Sequence, residues 1–99
     1  MHRAAKADAN QGEIVQALRQ MGASVQHTHQ LGQGAPDAIC GYKGVNLLIE
    51  IKDGGKPPSK RKLTPDEQTW HAEWRGQVAI VESVEDAVRL LNSVTEVTG

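Results

Sequence analysis

Phenylalanine is absent from this chain, and aromatic residues make up only 3% of its 99 residues. The core must therefore be built mainly from aliphatic side chains. Cys40 is the single cysteine, which excludes a disulfide within the chain and is typical of a reducing, cytosolic setting. A domain this small and without cross-links buries a modest core, so we expect a second subunit to contribute burial.

Long apolar segments are also missing from the sequence. No run approaches the ~20 residues that a membrane-spanning helix requires, and the N-terminal segment lacks the apolar stretch of a signal peptide. These absences predict no membrane contact and a cytoplasmic location. There is no repeat and no sign of a second domain, so residues 1–99 are expected to form a single domain.

The charges are unevenly distributed along the chain. The formal net charge of −1 alone would argue against a polyanionic partner. However, residues 1–62 carry a net charge of +4, and residues 63–99 carry −5. A basic region of this kind can hold a local positive field that the overall charge conceals. The sequence is therefore compatible with phosphate binding.

Hydrophobic periodicity and turn residues predict one α/β domain with a mixed four-stranded sheet flanked by helices. Lys43-Gly44 has the length and composition of a tight hairpin turn, and Thr64-Pro65-Asp66-Glu67 is a capping box that begins a helix. The last strand is expected to be buried and parallel to the third, because a helix connects them. The predicted elements are α (8–22), β (24–28), β (38–42), β (45–51), α (65–75), β (78–81) and α (84–92), with a frayed tail at 93–99.

Two acidic residues and a lysine lie where the predicted hairpin begins and ends. Asp37 precedes the first hairpin strand, and Glu50 closes the second strand as part of an E-x-K pattern with Lys52. Pairing across the turn brings the two carboxylates side by side, and alternation places Glu50 and Lys52 on one face. Converging carboxylates raise one pKa unless a cation compensates. Mg²⁺ prefers such oxygen ligands, and the lysine can stabilise negative charge on a phosphate. The pattern predicts metal-assisted attack on a phosphodiester.

Each part of this pattern alone has a more ordinary interpretation. An E-x-K at a strand end is usually a solvated ion pair, and a Pro-Asp after glycine is usually a turn. The glycine-rich loop 32–35 could allow close approach of a phosphate backbone or could be a flexible turn. His27 and His29 have the spacing of a ligand pair, but no third ligand stands at suitable spacing for zinc. The combination across a hairpin is what favours the catalytic interpretation.

The order of these motifs resembles the VRR-NUC branch of the PD-(D/E)XK nuclease superfamily, in its stand-alone phage or bacterial type. The resemblance covers about residues 10–92. It departs from the family at 27–30, where the family often carries an arginine. The residues that carry it are Glu13, Gly34-Ala35-Pro36-Asp37, Glu50-Ile51-Lys52, Leu63-Thr64-Pro65-Asp66-Glu67-Gln68 and Val84-Glu85-Asp86-Ala87.

The resemblance implies a restriction-endonuclease-like core in the order α-β-β-β-α-β-α and a metal-dependent DNA endonuclease. Asp37, Glu50 and the backbone carbonyl of Ile51 would bind Mg²⁺ or Mn²⁺, and Lys52 would position or help to deprotonate the attacking water. Glu13 would hold a metal-bound water, although by itself it is better explained as a solvated helix carboxylate. Gln68 would orient Lys52 or the water. No nucleotide cofactor is implied.

DNA contacts are expected from the loop 53–62, which is basic and follows the predicted catalytic strand directly. A basic loop is commonly only a solvated surface, and its position next to the site favours a phosphate clamp. The tryptophans at positions 70 and 74 are four apart on one helical face and favour a core or dimer interface over base stacking. The expected DNA-contacting residues are His29, Gly34, Lys56, Lys60, Arg61 and Lys62.

The substrate is inferred from what the chain does not carry. It has no helix-turn-helix and no zinc finger, so structure-selective cutting of branched DNA is expected rather than reading of a base sequence. Stand-alone members of this branch resemble resolvases of Holliday junctions, which are dimers. The resemblance therefore implies a homodimer with a role in DNA repair or recombination, in the bacterial host cytoplasm if a phage encodes it. The alternatives are a nuclease for flaps or nicked DNA, a catalytically silent DNA-binding subunit, and a dimerisation module.

Overall fold

The computed structural model describes residues 10–95, and it contains three α-helices and four strands within them. Short 3-10 turns occupy His29–Leu31 and Pro58–Lys60. The predicted order α-β-β-β-α-β-α and the mixed sheet flanked by helices are confirmed. The elements are α1 (Gln11–Gln20), β1 (Ser24–His27), β2 (Ala38–Tyr42), β3 (Val45–Ile51), α2 (Pro65–Glu73), β4 (Val78–Val81) and α3 (Val84–Asn92).

Strands β2, β3 and β4 and helix α3 have the predicted bounds, whereas the other elements are shorter. β1 ends one residue early because Thr28 turns the chain: its hydroxyl donates to the carbonyl of Pro36 at 2.8 Å. α1 ends at Gln20, before Gly22 with φ of 102°. α2 ends at Glu73, because Trp74 is already extended. Positions 8–9 of the first predicted helix and 96–99 of the predicted tail lie outside the described residues.

The sheet has the strand order β1-β2-β3-β4, with antiparallel pairs β1/β2 and β2/β3 and the parallel pair β3/β4. The hairpin turn is tight because Lys43 and Gly44 both have positive φ, 52° and 80°, as type I′ turns require. The prediction that β4 is buried holds only in part. The strand lies at the edge of the sheet, where Val81 is buried in the core but Ile80 is 46% exposed.

One face of the sheet carries the hydrophobic core. Helices α1 and α3 pack on this face and on each other, and their buried side chains include Ile14, Leu18 and Leu91. The strands contribute the positions that alternate inward, such as Cys40 and Ile49. The core is therefore aliphatic, as the absence of phenylalanine requires. No helix in the described part of the chain has the length and apolar character needed to cross a bilayer.

The opposite face of the sheet is only partly covered, and helix α2 lies over it. α2 begins with the predicted capping box, in which Thr64 and Glu67 each bond the other's backbone N–H. Further along the helix the rings of Trp70 and Trp74 stack with centroids 4.5 Å apart. Together with Leu48 of β3 and other apolar residues, these rings line an open groove of about 560 Å³. This face of the sheet therefore carries both the apolar groove and the side chain of Glu50.

Candidate active site

The hairpin of β2 and β3 places two carboxylates next to each other. Ala38 pairs with Ile49, so Asp37 and Glu50 are the next cross-strand neighbours at that end of the hairpin. Asp37 Oδ2 accepts a hydrogen bond of 2.7 Å from the backbone N–H of Ile51. This bond orients the Asp37 side chain across the end of β3. The site is thus built on two adjacent, hydrogen-bonded strands, which fix it more rigidly than loops would.

Glu50 is the most buried charged side chain of the site, with 2% of it exposed. Burial raises its pKa to about 9, and the negative charges of Asp37 and Glu67 and a hydrogen bond with Asp37 act in the same direction, against the opposing effect of Lys52. Its Oε1 atom is buried and has no hydrogen-bond partner among residues 10–95. Without a bound metal ion, the raised pKa therefore favours the protonated form of this carboxyl group at neutral pH. A bound divalent cation would favour the carboxylate.

Lys52 lies between two acidic side chains. Its Nζ is 2.7 Å from Glu67 Oε1 and 3.6 Å from Glu50 Oε2. Its main chain is fixed as well, because the N–H donates to the carbonyl of Val81 at 3.0 Å and the carbonyl accepts from Asn10 Nδ2 at 3.1 Å. The ammonium group is thus held beside the acidic side chains of Glu50 and Glu67.

Glu67 was not predicted as a site residue. Burial tends to raise its pKa, but the hydrogen bonds from Lys52 and from the backbone of Thr64 outweigh that effect, so the pKa is lowered. Glu67 therefore remains a carboxylate. The sequence contained a signal for it, because the capping box fixes the direction of this side chain at the start of α2.

His71 is a second side chain that the sequence did not indicate. It lies one turn after Glu67 on α2, and its Nε2 is 3.8 Å from Glu50 Oε1. Both of these atoms are buried, and neither has a hydrogen-bond partner in the described part of the chain. The imidazole ring also packs edge-on against Trp70 at a centroid distance of 5.7 Å. A polar ligand atom or a water shared by the two groups would satisfy both.

Glu13 and Gln68, the two predicted supporting residues, are both exposed. Glu13 is on α1, where it lines a polar depression together with Asp53 and Glu82. Gln68 donates from Nε2 to the carbonyl of Leu63 at 3.1 Å. A hydrogen bond from Lys52 goes to Glu67, the residue before Gln68, and consecutive helical residues point about 100° apart. That Gln68 orients Lys52 or the attacking water stays a prediction.

The packing of the protein favours glycine at position 34. Its φ is +84°, and a Cβ at this position would collide with the backbone carbonyl of Asp66. The glycine thus lets the loop before Asp37 press against the first turn of α2. The Nδ1 atom of His29 is buried and finds no hydrogen-bond partner within the described residues, and the ring lies 6.1 Å from that of His27.

The basic loop is attached to the end of β4. Arg61 forms an ion pair of 2.9 Å with Glu82 and donates from Nε to the carbonyl of Lys56 at 2.8 Å. Arg61 therefore holds the loop in place. The side chains of Lys56, Lys60 and Lys62 are exposed, and they remain the predicted phosphate contacts of this loop.

The donor set at the hairpin end fits a hard divalent cation. Asp37 and Glu50 supply carboxylates, and Ile51 supplies a backbone carbonyl, which are oxygen ligands of the kind that Mg²⁺ and Mn²⁺ take together with waters and phosphate oxygens. The unpartnered Glu50 Oε1 is an atom that such a cation would satisfy. Within residues 10–95 there is no preformed cluster of three or more His, Cys, Asp or Glu ligands. The protein would therefore supply only part of the coordination.

Comparison with known proteins supports the fold. No protein-family model matches the chain, and no curated protein sequence matches it. A solved structure described as a VRR_NUC domain is similar, with a TM-score of 0.64 and 21% sequence identity over 87% of this chain and 98% of that one. The chain thus has the fold of a VRR_NUC domain, as its motif order predicted.

Proposed function

We propose that the protein is a metal-dependent endonuclease that hydrolyses phosphodiester bonds in DNA. The observation that carries this proposal is the meeting of Asp37, Glu50 and Lys52 at one end of the β2–β3 hairpin. The likeness to a VRR_NUC domain structure supports it, because the three residues lie on a fold of that kind. The raised pKa of Glu50 also supports it, because strongly perturbed carboxyl groups are concentrated at functional sites.

Asp37, Glu50 and the carbonyl of Ile51 would hold Mg²⁺ or Mn²⁺. The bound ion would supply Lewis acidity to the phosphate and a water of lowered pKa. The ammonium group of Lys52 stabilises the negative charge that grows on the phosphorane and orients the attacking water. In-line attack would leave a 5′-phosphate and a 3′-hydroxyl. Strands β2 and β3 keep these groups in register, so little reorganisation is required at the moment of reaction.

The test is a cleavage assay with end-labelled duplex, flap and four-way-junction DNA in Mg²⁺, Mn²⁺ or EDTA. We expect cuts only with a divalent cation, and the fastest cuts in branched DNA. If none of the three substrates is cut with either metal, while the protein still binds them, the chain is a DNA-binding subunit without catalysis. If it neither cuts nor binds them, the nuclease proposal is wrong.

We propose a homodimer as the form that acts on branched DNA. A four-way junction needs two opposed cuts, which a two-fold dimer supplies. The groove beside α2 supports an association surface: Leu31 is 74% exposed and Trp74 is 46% exposed, and both line the groove. Apolar side chains exposed together in this way commonly mark interaction sites.

The dimer prediction is tested with Leu31→Asp, because a charge on this exposed side chain disturbs association and spares the core. Wild-type protein should sediment at about twice its mass of 10.7 kDa, and the variant should sediment as a folded monomer. The double variant Trp70→Ala with Trp74→Ala should also dissociate or unfold. Gln16→Asp, on the exposed side of α1, is the control. A wild-type monomer that makes paired cuts in junctions would contradict the dimer.

The exposed lysines of the basic loop make a prediction about salt. Replacing Lys60 and Lys62 with serine should weaken DNA binding and reduce the slope of log K against log salt by about 0.9 for each lost phosphate contact. Arg61 is kept because its ion pair with Glu82 holds the loop. Single-turnover cleavage at saturating protein should change little. An unchanged slope, measured by fluorescence anisotropy, would mean that these lysines do not contact DNA.

A further inference from the structure

The first turn of α2 touches both halves of the candidate site. On one side, Gly34 packs against the backbone of Asp66, just before the segment that carries Asp37. On the other side, Glu67 reaches the Nζ of Lys52 at the end of β3. The helix therefore contacts the two chain segments that bear the candidate catalytic groups.

Glu67 accepts two hydrogen bonds on one oxygen. Oε1 receives the backbone N–H of Thr64 at 2.9 Å and the ammonium of Lys52 at 2.7 Å. The first bond belongs to the capping box and restricts the side chain to one direction. The second is a charge-assisted bond with only 18% of the Glu67 side chain and 11% of the Lys52 side chain exposed. The direction of the lysine is thereby coupled to the start of the helix.

We propose that Glu67 is the positioning residue for Lys52 in the reaction. The proposal rests on the proposed nuclease function and adds a residue to it. A lysine side chain has four rotatable bonds and many accessible directions. The Glu67 carboxylate limits them to the one in which Nζ lies 3.6 Å from Glu50 Oε2, beside the candidate metal ligands. Glu67 itself acts through Lys52 and needs no contact with DNA.

The capping box provides a sharp test, because glutamine replaces glutamate in it. Glu67→Gln retains an acceptor for the N–H of Thr64 but removes the charge that holds Lys52. We expect kcat to fall by about 10²-fold, which is the effect of misplacing a reacting group by ~1 Å. KM for DNA and the affinity for Mn²⁺ by calorimetry should remain within about twofold.

Two further variants separate positioning from a structural role. Thr64→Ala weakens the helix cap and leaves the Lys52–Glu67 pair, so it should lower the melting temperature and leave kcat near that of the wild type. In a Lys52→Ala background, Glu67→Gln should cause no further loss of kcat. A wild-type kcat for Glu67→Gln, or a full additional loss in the Lys52→Ala background, would overturn the proposal.

A spectroscopic measurement decides the positioning without any turnover. The Nζ–H signals of Lys52 in heteronuclear NMR should be protected from exchange in the wild type and in Thr64→Ala, and lost in Glu67→Gln. Identical Lys52 signals in the wild type and Glu67→Gln would overturn the proposal even in an active enzyme. Absence of cleavage by the wild type would instead overturn the nuclease function, and with it the catalytic role of the Lys52–Glu67 pair. The NMR comparison would still show whether Glu67 positions Lys52.

Discussion

Glu50→Gln is expected to abolish metal-dependent cleavage and, in EDTA, to raise the melting temperature. The glutamine has the shape of glutamate but carries no charge, so a metal ligand is lost while the strand and its packing are kept. In the wild type without metal, Glu50 is buried beside two other acidic side chains, and its raised pKa means that it takes up a proton on folding near neutral pH. Glutamine is neutral without this proton uptake, so the substitution removes its free-energy cost. The expected increase at pH 8 is on the order of 5 °C or more for a domain of this size.

The pH dependence of stability gives the sign of this effect. The pKa of Glu50 is raised in the folded protein from 4.5 to about 9. The folded state therefore binds more protons than the unfolded state between these values, and the free energy of unfolding falls as the pH rises. The protonated Glu50 contributes to the free energy of unfolding in full below pH 4.5, and this contribution is lost as the pH approaches 9. Glu50→Gln should flatten this decline.

Thermal melts from pH 5 to 9, with and without Mn²⁺, measure both parts of the prediction. Mn²⁺ should stabilise the wild type, because a ligand that binds only the folded state raises its stability, and it should not stabilise Glu50→Gln. Glu85→Gln, an exposed carboxyl on α3, is the control. Cleavage by Glu50→Gln at the wild-type rate would refute the metal site, and a steeper decline with pH in the variant would refute the electrostatic argument.

Asp37 differs from Glu50 in this respect, because its carboxylate also has a structural role. Its Oδ2 accepts the backbone N–H of Ile51. Loss of this acceptor leaves a partly buried donor unpaired, which costs about 1–3 kcal/mol. A neutral substitution at Asp37 would therefore have two opposing effects on stability: it relieves charge repulsion, and it removes a hydrogen bond. Glu50 is the cleaner position at which to test the charge.

The hairpin end of the site could be predicted from sequence because its geometry is local. A turn at Lys43-Gly44 determines the register of two strands, and the register places Asp37 beside Glu50. Alternation along one strand then places Lys52 near Glu50. The Thr64–Glu67 capping box was equally predictable, because it depends on residues three apart.

The contacts that helix α2 makes with the sheet could not be predicted in this way. Which helical residue reaches Lys52 depends on the rotation of α2 about its own axis. A rotation by one residue, about 100°, would bring Gln68 to the position that Glu67 occupies. The exposure of Ile80 was missed for a related reason, since an apolar run cannot show whether another element covers it. His71 has no periodic signal, and its proximity to Glu50 follows only from packing.

Lys52→Ala is expected to reduce the chemical step by about 10²–10³-fold while metal and DNA binding are retained. The ammonium group matters most when negative charge develops on the phosphorane, so its removal affects the transition state more than the bound substrate. Its distance of 3.6 Å from Glu50 Oε2 places it beside the candidate metal ligands. The variant should also melt at a lower temperature than the wild type in EDTA, because Glu50 and Glu67 lose the cation between them.

Single-turnover cleavage at saturating protein measures the chemical step, and calorimetry with Mn²⁺ measures the metal affinity of the same variant. The exposed Lys43, in the hairpin turn at the far end of β2 and β3, supplies the control Lys43→Gln, which should cut at the wild-type rate. Lys52→Arg keeps the positive charge but cannot match the position of a single ammonium group, so it should recover only part of the rate. A large loss of Mn²⁺ affinity with an unchanged chemical step would show that Lys52 organises the carboxylates and takes no part in the transition state.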